Sequence, residues 1–83
     1  MPLFMDVHVH VDGLTKEAVQ QAHARDLEVE GAHGVHYLQY WYNEDAGKVF
    51  CLVDAPDAAA ATAVHREAHG LVADSITPVQ SGM

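Results

Sequence analysis

Cysteine is nearly absent from this chain of 83 residues: Cys51 stands alone, so an intrachain disulfide is impossible. Basic residues are scarce too. Lys16, Arg25, Lys48 and Arg66 are scattered against 12 acids, leaving a formal net charge of -8. Neutralising a nucleic-acid backbone takes clustered Lys and Arg, so no nucleic-acid partner is expected. Long hydrophobic runs are missing as well. No segment approaches the roughly 20 apolar residues of a membrane span, and Met1 to Asp6 lacks the basic start of an export signal. The expectation is a soluble, cytoplasmic protein with no membrane partner. Nor is there a Gly-rich phosphate loop, a nucleophile elbow or a Cys-x-x-Cys pair, so covalent catalysis by Ser or Cys has no support.

What is present is a modest apolar content, 49%, in which 13 of 41 apolar residues are alanine. That is thin for a domain standing alone. Chains of this size commonly rely on a disulfide, a metal or a second subunit, and here the first is excluded. The length allows one domain over residues 1–83, with a core spanning about 3–79 and a tail at 80–83.

Leu3 to Val11 alternates, with Leu3, Met5, Val7, Val9 and Val11 on one face and Phe4, Asp6, His8 and His10 on the other, which predicts a first strand. Thr15 is placed to cap a helix from Lys16 to about Glu30, stopped by Gly31 and Gly34. Val35 to Asn43 and Lys48 to Asp54 flank the turn Glu44-Asp45-Ala46-Gly47 and predict an antiparallel hairpin. Pro56 suits a first helical position and Asp57 favours the helix start electrostatically, opening a helix that runs to His69 before Gly70. Ser75 to Val79 is a last strand, and Pro78 within it, lacking an amide donor, places it at a sheet edge. The order β-α-β-β-α-β predicts an α+β, ferredoxin-like fold: a four-stranded antiparallel sheet with two helices on one face. In the third strand Val49, Cys51 and Val53 alternate with Phe50 and Leu52, so both faces of the sheet call for cover. Helices cover one. A second copy of the same sheet is the simplest cover for the other, giving a homodimer in which Trp41, Tyr37, Tyr40 and Tyr42 could take part.

The first helix carries an anomaly. Its apolar arc holds Ala18, Val19, Ala22, Leu27 and Val29, and inside it lie His23, Asp26 and Glu30. Buried without partners, such groups cost several kcal/mol, so either a metal ion or a self-satisfying polar cluster must meet them. Asp6 and His8 share one face of the first strand. If that face lies under the helices, the two polar sets meet across the layer; if not, they are separate. His65 and His69, at i and i+4, share one side of the second helix beside its apolar stripe of Ala61, Val64, Ala68 and Leu71. His33 is expected in solvent, and Cys51 as a small buried side chain that is also the one soft donor. Imidazole and carboxylate together suit nickel or another divalent transition metal better than calcium or magnesium.

Phe4-Met5-Asp6-x-His8, Ala22-His23-x-x-Asp26-Leu27, Gly34-Val35-His36, Lys48-Val49-Phe50-Cys51-Leu52 and Ala55-Pro56-Asp57, in that order and spacing, resemble the small nickel-binding, ferredoxin-like bacterial proteins. The resemblance implies a homodimer that binds nickel in metal sequestration or tolerance. With the face analysis it gives Asp6, His8, His23, Asp26 and His65 as metal ligands, leaving His10, Glu30, His36, Cys51 and His69 undecided. The alternative is an enzyme or small-molecule binding module of the dimeric α/β-barrel type, with a His/Asp pocket between sheet and helices serving as an acid-base pair.

Overall fold

The computed structural model describes residues 2–82; Met1 and Met83, the latter the end of the expected tail, lie outside them. Four strands, β1 (Leu3–His8), β2 (His36–Asn43), β3 (Lys48–Asp54) and β4 (Ser75–Val79), form one antiparallel sheet in the order β2-β3-β1-β4. Helices α1 (Lys16–Val29) and α2 (Ala58–Ala68) lie on one face, and a 3-10 turn over Glu30–His33 follows α1. This is the ferredoxin-like arrangement. As its proline predicts, β4 is an edge strand, with Pro78 opposite Phe4.

Local chemistry sets the boundaries. Thr15 caps α1 by accepting the Ala18 N–H at 3.1 Å. The first strand stops at His8, earlier than its alternation predicts, because the Val9 N–H leaves the ladder for the Asp74 carboxylate at 2.7 Å. The second helix begins at Ala58, two residues past Pro56. Asp57 is its N-cap, in extended conformation and accepting the Ala60 N–H at 2.8 Å. Gly70, at φ 81°, takes the left-handed turn that closes α2, with its N–H on the His65 carbonyl.

Phe4, Val19, Val35, Tyr37, Val49, Cys51, Val53, Ala55, Ala61 and Val64 form the core between sheet and helices. Leu27 was expected inside but is 49% exposed. The helix is turned so that Asp26, one position earlier, meets α2 instead. Leu71 lies beyond α2 and is also exposed, and Ala18 faces solvent. On the far face Leu3, Met5, Val7, Phe50 and Leu52 are half-buried and Trp41 is exposed. A bulge between Tyr37 and Gln39 returns Tyr40 to the helix side, opposite Cys51. Among the described residues no helix is long and apolar enough to cross a membrane.

Candidate metal centre

The face of β1 that carries Phe4, Asp6 and His8 lies under the helices, all three buried, so the polar sets of strand and helix do meet. At their centre stands His65 of α2, 2% exposed. Its Nδ1 lies 2.9 Å from Asp26 Oδ1 on α1, and its Nε2 lies 3.0 Å from Asp6 Oδ2 on β1. Both ring nitrogens therefore face carboxylates, and an imidazole satisfies two acceptors only by carrying two protons. Burial alone would pull the His65 pKa down, but Asp26 and Asp6 outweigh it and hold the imidazolium to about 11. The same contacts act in reverse on the acids. Burial pushes Asp6 and Asp26 up, yet His65 with His8 on one side, and His65 with His69 on the other, leaves both carboxyls below the usual range.

Further groups complete the cluster. His69 Nε2 approaches the same Asp26 oxygen at 3.0 Å. The Tyr37 hydroxyl lies 3.1 Å from the Ala61 carbonyl and 3.2 Å from Asp6 Oδ2, donating to them; burial, then the nearby Asp6 charge, raises its pKa. Burial likewise pushes the Cys51 thiol up to about 11. One atom of the cluster is left over: among the described residues Asp6 Oδ1 has no hydrogen-bond partner, its neighbour His8 Nε2 standing 3.6 Å away. An orphaned carboxylate oxygen is costly in a small core, and a cation would relieve it.

Two groups of donors lie close enough to hold an ion. Asp6, His8, Cys51 and His65 offer one atom each, all within 4.8 Å of one another, and so do Asp26, His65 and His69. Of the five ligands expected from the sequence, Asp6, His8 and His65 come together, and Asp26 joins His65 on its other side. Neither group includes His23, whose ring packs against Tyr40 at 4.7 Å on the wall of a cavity of about 70 Å³. Cys51 and His69 enter where the sequence left them undecided. The inward side of β3 marked Cys51 as buried, whereas nothing in α2 alone turned His69 towards Asp26. His10 pairs with Asp12 in solvent and His36 is exposed, while Glu30 accepts the Tyr37 N–H at 3.0 Å. His33, expected in solvent, is only partly exposed, with its ring on Glu67 at 2.7 Å.

A ferredoxin-like sheet that buries imidazole, carboxylate and thiol donors under its helices defines a class: small proteins with a candidate transition-metal centre. Residues 4–79 match the family model described as nickel responsive protein SCO4226-like, and the chain belongs to that family. It is also similar to the crystal structure of SCO4226 from Streptomyces coelicolor A3(2), with a TM-score of 0.90 and 40% identity over 98% of this chain and 99% of that one. No curated protein matches.

Proposed function

We propose that this protein binds a divalent transition metal, nickel favoured, in the cluster centred on His65, and acts as a homodimer in metal sequestration or tolerance rather than as an enzyme. The observation that carries this reading is the buried donor set itself: Asp6, His8 and His65, with Cys51 beside them and Asp26 on the far side of the ring, where a plain core would hold Leu or Val. The donors are the borderline imidazole and thiolate types that suit nickel, zinc, cobalt or copper, and the unpartnered Asp6 Oδ1 fits a cation's demand. A bound ion would supply positive charge there in place of the protons of His65. Nickel is favoured by the description of the family, nickel responsive. His23, on the cavity wall, is proposed as an outlying donor on the way in.

The half-buried far face of the sheet, with Met5, Val7, Phe50 and Leu52, supports the dimer, since no described element covers it. A free buried thiol is the form that a reducing compartment preserves, which supports a cytoplasmic setting. Equilibrium dialysis with metal analysis tests the function. Stoichiometric nickel in the wild type and its loss in His8→Ala are expected; no retained nickel in the folded wild type overturns the reading.

A second reading, a binding module for a small apolar molecule, is favoured by the cavity, whose walls include Val11, Leu14, Val19, Ala22 and Val49. An apolar compound retained through purification, with no metal bound, would select it.

A further inference from the structure

The hydrogen bonds around His65 close upon themselves. Both nitrogens of that ring face carboxylates, Asp26 Oδ1 takes His65 and His69 together, and Nδ1 of His69 accepts the Leu71 N–H at 3.1 Å. What stays open is the cavity beside them, about 70 Å³, walled mainly by the aliphatic side chains of Val11, Leu14, Val19, Ala22, Val49 and Leu71. We infer that this cavity binds a small neutral molecule, an aliphatic body of about three or four carbons seated on those walls with one hydroxyl or carbonyl group held by His23. The inference rests on the small-molecule reading above, deepens it to a ligand class, and stands whether or not the cluster holds an ion.

Volume limits the body. A cavity of about 150 Å³ accommodates a benzene ring, so one of about 70 Å³ has room for about three non-hydrogen atoms, which suits the end of an alkyl group rather than an aromatic ring. The space exists because Ala18 and Ala22, one turn apart on α1, line the same cavity as Val49 and Cys51 of β3, and a leucine at either alanine would fill it. Ala18 and Leu71 are exposed as well as lining it, so the cavity reaches the surface there. The polar group has its own partner. His23 and Tyr40 stack at 4.7 Å on the cavity wall, and among the described residues neither side chain makes a hydrogen bond. An imidazole offers a donor nitrogen and, when neutral, an acceptor, so it meets a hydroxyl or a carbonyl equally. Charge is disfavoured in either sign. An anion would approach a chain of net charge -8 and meet Asp26 on the wall. A cation would shed its water among aliphatic side chains, with Asp26 already paired to two imidazoles.

Methyl NMR of the full chain, with chelator present, tests the ligand class. The probes are isobutanol, isobutyrate and isobutylamine, which have similar bodies and differ in the charge of the head, and xenon, which has no head. Isobutanol should shift the Val11, Leu14, Val19 and Val49 methyls saturably at millimolar concentration, about tenfold or more below the charged analogues. His23→Leu should weaken isobutanol by about tenfold and leave the xenon shifts in place, while His23→Gln, which keeps a hydrogen-bonding group, should retain most of the affinity. Ala22→Leu should abolish binding of both by filling the cavity; Ala18→Leu, at the exposed rim, repeats that test should Ala22→Leu not fold. Xenon shifts without a preference for isobutanol over its charged analogues, or isobutanol binding that His23→Leu leaves unchanged, overturn the ligand class and leave the small-molecule reading intact. A wild type that neither xenon nor isobutanol perturbs overturns both.

Discussion

Raising the pH of the metal-free protein from about 6 to about 8 should lower its stability through His65 by about 2 kcal/mol. The folded imidazolium, held to about 11 between Asp6 and Asp26, keeps its proton over this whole interval. The unfolded chain loses that proton near pH 6.5, so the native state binds about one more proton and stability falls by about 1.4 kcal/mol per pH unit above that point. The contribution is fully present below about pH 6.5 and disappears as pH rises towards 11. The two aspartates run the other way: their folded pKa values are depressed, so their contribution is present above about pH 4 and lost on further acidification. Both descriptions concern one network and are not to be summed. Together they place maximum stability between about pH 4 and 6.5. Urea unfolding with chelator present, at one fixed protein concentration, should show the midpoint falling by about 1–2 M between pH 6 and 8. The His65 ring followed by NMR should keep its proton to beyond pH 9. Stability that is flat over this range, with a His65 ring that deprotonates near 6.5, would refute the reasoning.

Three other outcomes are expected. Tyr37→Phe removes the hydroxyl that serves Ala61 and Asp6 and should cost about 1–2 kcal/mol, read as a lower melting temperature with the fold unchanged by circular dichroism. Val53→Ala, at a site with no exposure opposite Phe4 and Tyr37, should cost about 2–3 kcal/mol, or on the order of 10 °C in melting temperature; a change under 3 °C would contradict the core described here. Nickel at about a hundred times its dissociation constant should stabilise the folded chain by about 2.7 kcal/mol in thermal melts, reversibly with chelator.

The architecture was legible because each element carries its own punctuation. Thr15, the Glu44 to Gly47 turn, Asp57 and Gly70 mark boundaries by local hydrogen bonding, which a sequence records directly. The rotation of α1 was not legible. Periodicity put Leu27 and Asp26 in one arc, and only the third dimension shows that His65 and His69 draw Asp26 inward and leave Leu27 outside. For the same reason the sequence supplied His8, Asp26 and His65 as candidate ligands but neither the face on which His8 lies nor their division into two sets. That division depends on which nitrogen of one ring faces which strand or helix. His23 shows the converse: its place within the sheet-facing arc is real, but Tyr40, returned to the helix side by the β2 bulge, gives its ring a stacking partner away from both donor sets.

X-ray absorption at the nickel edge of the loaded, full-length protein tests the central claim most directly. Nickel held by the His65 cluster should show imidazole scattering together with a sulfur neighbour, and Cys51 is the only cysteine able to supply a thiolate. A shell of oxygen alone, with neither sulfur nor imidazole, would contradict the account.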